Sequence, residues 1–163
     1  MIFSTESVHP AVIISWILFI SPIAAASDTD TLFLSESVIR MELVTDFSAI
    51  QAERTGTPVY HDGILTYRSK GNKPVTLPVK VMARGKFRLN PANCGFPPLM
   101  IDFETEKASS TLFENQDKLK LVTPCQGEEE VIREYAAYRM YNLVTDKSFK
   151  VRLARISYID EGT

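Results

Sequence analysis

At 163 residues the chain has room for one domain with a sizeable core and is too short to expect two. Its composition, 45% hydrophobic and 23% charged, is that of a globular protein and excludes a wholly disordered or fibrous one. The 18 basic and 20 acidic groups are spread along the sequence for a formal charge of -2, so no field favours nucleic acid or an anionic membrane as partner.

Residues 11–26, AVIISWILFISPIAAA, form an apolar run that closes on small residues. An h-region followed by an A-x-A site at Ala24 and Ala26 is what a signal peptidase reads, which makes 1–26 a signal peptide and Ser27 the new terminus. The run is shorter than the roughly 20 residues that span a bilayer, so no stable membrane span is expected after cleavage. An uncleaved anchor or an upstream-misplaced start stays open, because Glu6 and His9 precede the run with no Lys or Arg. Export implies a secreted, periplasmic or cell-envelope protein. Residues 27–35 are expected to be a disordered terminus and 36–163 the single domain.

In an oxidising compartment Cys94 and Cys125 read as a disulfide, and geometry agrees. If 99–104 and 118–123 are the arms of one antiparallel hairpin, Cys94 before the first arm lies across from Cys125 after the second. Two free buried thiols in a cytosolic protein are the alternative. Zinc is less favoured than either, since His61 is the one histidine left to the mature chain.

Ile39, Met41 and Leu43 alternate with Arg40 and Glu42, the period-2 signature of a strand with one wet face. Residues 47–54 fit a loop or a helical turn. Asp62-Gly63, flanked by Val59, Tyr60 and 64–67, predicts a type I′ hairpin turn. In the next segment Val75, Leu77, Val79, Val81 and Ala83 point one way, while Pro78 predicts an edge or a bulge. Residues 90–98, with three prolines and Cys94, read as a connection pinned by the disulfide. Leu99, Ile101 and Phe103 then face a core.

Residues 119–158 look like the centre of the fold: a strand over 118–123, a helix over 128–144 and a returning strand over 150–158. The helix starts either in a capping box at Thr123 or, after Gly127, at Glu128, with Glu128, Glu129 and Glu130 near the positive end of its dipole. Ile132, Ala136, Met140 and Leu143 make one apolar stripe, and Val131, Tyr135, Tyr138 and Asn142 a neighbouring one. So wide an apolar face predicts a helix covered on more than one side, with the remaining sheet built around it. The expected class is α+β, a largely antiparallel twisted sheet packed on one principal helix.

No phosphate-binding glycine loop and no nucleophilic triad occurs, and no metal site is expected. Arg84, Lys86 and Arg88 would line one face of an extended segment, either to hold phosphates or simply to meet solvent. Lys118 and Lys120 precede the helix and Glu134 lies in its second turn. A strand lysine facing a helix glutamate orients nucleotide phosphates in kinases, whereas the plainer alternative has solvated lysines and Glu134 paired with an arginine.

The succession Arg84-Gly85-Lys86-Phe87-Arg88, then Phe96-Pro97-Pro98-Leu99 to Phe103, Leu119-Lys120-Leu121-Val122, Arg133-Glu134-Tyr135-Ala136-Ala137-Tyr138 and 149–158 resembles the amino-terminal lobe of CotH-like spore-coat kinases. It is closest to their secreted bacterial members of unknown role, and covers about Val75 to Asp160. The resemblance implies an atypical kinase N-lobe, with Lys120 or a neighbouring Lys118 or Arg84 on phosphate and Glu134 as its brace. Cys94, Gly95 and two prolines stand where the family shows lysines, which puts the phosphate-binding lysine in question. The lobe that would carry the catalytic and metal-binding aspartates does not follow before Thr163. The resemblance therefore implies a remnant or fragment that is not catalytic alone, with ATP and magnesium as cofactors only if the lobe is completed. A missing C-terminal lobe or an envelope component is the implied partner. A non-enzymatic envelope or surface binding module is the second expectation.

Overall fold

The computed structural model describes residues 1–4, 31–69 and 71–162. Most of the segment expected to be a signal peptide lies outside these residues. Met1 to Ser4 are described, and Ile2–Ser4 (β1) is paired within the sheet, so cleavage after Ala26 would remove that strand. Of residues 27–35, expected to be disordered, Thr31–Phe33 forms a 3-10 turn whose Leu32 is wholly buried.

Among the described residues the fold is α+β, with eight strands in one mixed sheet ordered β7-β1-β6-β5-β4-β3-β2-β8. The remaining strands are β2 (Ile39–Thr45), β3 (His61–Arg68), β4 (Pro74–Ala83), β5 (Leu99–Phe103), β6 (Lys118–Leu121), β7 (Val151–Arg152) and β8 (Ala154–Asp160). Every pairing is antiparallel except β2 with β8. The expected returning strand is in fact two, β7 and β8, separated by Leu153 alone yet standing at opposite ends of the sheet. One residue can bridge the ends only if the sheet curls until they meet, and Ile39 N donates to Leu153 O at that seam.

Period-2 patterning decides which side faces inward. Ile39, Met41, Leu43, Leu65, Tyr67, Leu77, Val79, Val81, Leu99, Ile101, Phe103, Leu119 and Leu121 fill one continuous core. It is plugged by Leu32, by Phe47 and Ile50 of α1 (Phe47–Ala52), by Ala108 of α2 (Thr105–Ala108) and by Phe113. Phe113 stacks on Phe103 with centroids 5.0 Å apart and meets Tyr67 edge-on at 5.3 Å. The Asp46 carboxylate accepts from Ala49 N at 2.7 Å, resolving the ambiguous 47–54 stretch as a capped helix.

Two sequence expectations fail here for local reasons. Asp62-Gly63 does not turn the chain; both lie within β3, paired with Lys80 and Val79. Gly63 is needed because β2 crosses so closely that a Cβ would stand 2.8 Å from Val44 O. The β3–β4 reversal instead runs through 69–73, where Ser69 N donates to Lys73 O. Pro78 is in an interior strand, not an edge, but the β4–β5 ladder ends at Val79–Phe103, so β5 asks nothing of Pro78.

The largest correction concerns the helix. α3 (Glu128–Val144) is the longest helix, yet it has no buried residue and lies against the outside of the curled sheet. Val131, Tyr135 and Tyr138 pack on a small cluster of Met1, Val122 and Val151. The stripe with Ile132, Met140 and Leu143 is in solvent, Leu143 at 86% exposure. The sheet does not cover this helix; it covers itself.

Candidate functional site: a cationic cleft on the outer face

Alternation sends Leu119 and Leu121 inward and therefore Lys118 and Lys120 outward, to the side on which α3 lies. A cleft of about 310 Å³ opens between them and the segment after β4, lined by Arg84, Lys86, Arg88, Lys120, Glu134, Tyr138 and Phe149 with Pro98 and Val122 at its floor. Three of the four residues expected to meet a nucleotide, Arg84, Lys120 and Glu134, are thus brought together. Lys118 is not among them; its amine pairs with Asp102 at 3.6 Å.

Each wall has a local cause. Gly127, at φ 154°, breaks the chain ahead of α3 in a backbone region that glycine alone enters readily. The helix therefore begins at Glu128, and Thr123, rather than capping it, donates its hydroxyl to Phe96 O at 3.1 Å. Gly85, at φ 112°, ends β4 and turns 86–89 across the cleft, where Phe87–Leu89 is a 3-10 turn rather than an extended segment. Arg84, Lys86 and Arg88 nevertheless all reach the cleft. Asn142 Nδ2 donates to Phe149 O at 3.1 Å and the Tyr138 ring meets Phe149 at 6.2 Å, which seats the far wall.

Beneath the 85–96 segment lies Arg54, which is 4% exposed. Its guanidinium donates to the carbonyls of Arg88, Leu89, Cys94 and Gly95 and to Gln51 Oε1. A planar fork of five donors suits this gathering of carbonyls, and nothing in the sequence pattern marked the residue for it. Cys94 and Cys125 are joined, with Cα atoms 4.9 Å apart, tying the same segment to the entrance of α3 as the hairpin geometry of β5 and β6 predicts. A disulfide suits an oxidising, extracytoplasmic location.

Among the described residues the cleft is lined by four cations and one carboxylate. Glu134 is not the partner of a strand lysine: its Oε2 stands 3.6 Å from Arg88 Nη2, the plainer of the two arrangements open to it. Lys120 Nζ lies 4.4 Å over the Phe149 ring. Burial lowers the Lys120 amine below its usual range, and the neighbouring Arg84 charge lowers it further. Burial likewise lowers Arg84, with Glu134 acting in the opposite sense. Like charges are therefore crowded where solvent cannot fully shield them, a condition that an anion relieves.

Other candidates stand apart. His61 is partly buried and bonds Glu53 Oε2 at 2.9 Å. Among the described residues no group of three or more His, Cys, Asp or Glu side chains could hold a metal ion, and no helix is long and apolar enough to cross a membrane. Lys86 and Arg88 carried a weak signal in the alternation of 84–88. Phe149 carried none, because its place depends on a helix contact.

No family model, no curated protein and no solved structure matches this chain. The CotH-like resemblance consequently rests on the sequence segments quoted for it.

Proposed function

We propose that the chain is an exported, non-catalytic binding module that takes the phosphate groups of a ligand into the cleft between α3, β6 and residues 84–88. What supports this reading is the meeting of Lys120 from β6 and Arg84 from the segment after β4 over one carboxylate that Arg88 already engages. The reading agrees with the nucleotide-phosphate role that a CotH-like N-lobe implies for Lys120 and Arg84, and changes the role of Glu134 from bracing lysine to bracing Arg88. Phosphoryl transfer would need metal-held carboxylates beyond those gathered here.

Titration calorimetry with pyrophosphate tests it. The chain should bind at neutral pH, and Lys120→Ala should weaken binding by about tenfold or more, the worth of one charge-assisted bond of roughly 1.5 kcal/mol or above. Affinity should fall as pH rises through the lowered Lys120 pKa, hence before the 10.5 of an ordinary lysine, because only the protonated amine attracts the anion. Absence of pyrophosphate binding sinks the reading. That result would favour the second one, a surface module without a phosphate ligand, which is supported by the solvent-facing Met140, Leu143 and Val144 of α3.

A further inference from the structure

We infer that the ligand of this cleft is a metal-free polyanion, so that magnesium competes with binding instead of assisting it. This deepens the phosphate-binding reading and rests on it. Magnesium joins a phosphate site by keeping several waters and taking one or two protein carboxylates along with phosphate oxygens. Among the described residues Glu134 is the cleft's single lining carboxylate, and Arg88 stands against it at 3.6 Å. To coordinate a cation, Glu134 would have to leave Arg88, adding a freed guanidinium to the three cations already present. A magnesium-phosphate complex would also present two fewer net negative charges to the wall formed by Arg84, Lys86, Arg88 and Lys120. At contact distances and with partial burial, that loss of attraction is larger than in bulk water.

Cleft size narrows the ligand further. A volume of about 310 Å³ is at the lower end of the range for small-molecule pockets, roughly 300 to 1,000 Å³. It accommodates a short run of phosphate groups, and its open mouth leaves room for any attached group to stand outside. Phe149 and Tyr138 add apolar walls, and Phe149 already carries Lys120 on its face. The recognised chemistry is thus a compact di- or triphosphate group, whether free or at the end of a larger molecule.

The experiment is calorimetry of the full chain with inorganic tripolyphosphate, in chelator and then with magnesium in excess over the anion. Binding in chelator that weakens at least tenfold in magnesium is the expected result. Replacing tripolyphosphate by ATP under both conditions should give the same order and no gain in affinity, since the base stays outside the cleft. Tighter binding with magnesium overturns the inference while leaving the phosphate-binding reading in place. No binding of tripolyphosphate in either condition overturns both. Glu134→Gln adds a second readout: since Glu134 is held by Arg88 and takes no part in holding magnesium, the weakening of tripolyphosphate binding by magnesium should persist in this variant, and its disappearance also overturns the inference.

Discussion

The inside of the curled sheet and the outside beneath α3 are built from the same strands, yet they differ in nearly every physical respect. Inward, Leu43, Leu65, Val81, Leu99 and Phe113 are wholly buried and mutually packed. Outward, the apolar contact of α3 with the sheet runs through Val131, Tyr135 and Tyr138, and the ground beside it is held by Lys120, Arg84, Arg88 and Glu134. The difference teaches that stability and the candidate site are separated by the thickness of one sheet. Lys120 joins the outer charges without entering the core, because alternation gives β6 one face for each purpose.

Four variants would break or sharpen this division. Phe113→Ala should have the largest effect, about 3–5 kcal/mol lost in urea unfolding, because it opens a cavity against Phe103 and Tyr67. A similar loss from a residue of the outer stripe would erase the contrast. Removing the disulfide with Cys94→Ser and Cys125→Ser together should cost about 3–4 kcal/mol by releasing a loop with a sequence separation of 31.

Arg54→Met should cost about 1–3 kcal/mol, since buried carbonyls of Arg88, Leu89, Cys94 and Gly95 lose their donor. It should also weaken pyrophosphate binding without touching the ligand, and an unchanged affinity would show that the 85–96 segment holds its shape without the clamp. Smallest of all, Leu143→Ser on the solvent side of α3 should change stability by less than about 0.5 kcal/mol. A loss of 2 kcal/mol by thermal melting would mean that this stripe is covered.

Much of the strand pattern was legible because it depends on neighbours in sequence. Ile39, Met41 and Leu43, the run from Val75 to Ala83, and Leu99, Ile101 and Phe103 all bury the side that alternation assigns them. The pairing of Cys94 with Cys125 followed from the same logic, since the β5–β6 register places both chain ends together. Less could be said of α3. Its apolar residues are spread round the helix, so sequence offered two stripes and no means of choosing which would be covered.

By itself, then, the sequence determined the α+β class, the inner faces of the main strands, the cysteine pair and the set of cations from which the cleft is drawn. Tertiary structure alone decided that the sheet closes through Leu153, that Gly63 serves a close crossing instead of a turn, and that Arg54 gathers carbonyls far along the chain. It also decided that Glu134 meets Arg88 before any lysine. The physical reason is range: alternation and capping act over a few residues, whereas curling, close approach and ion-pair choice depend on segments that meet only once the chain has folded.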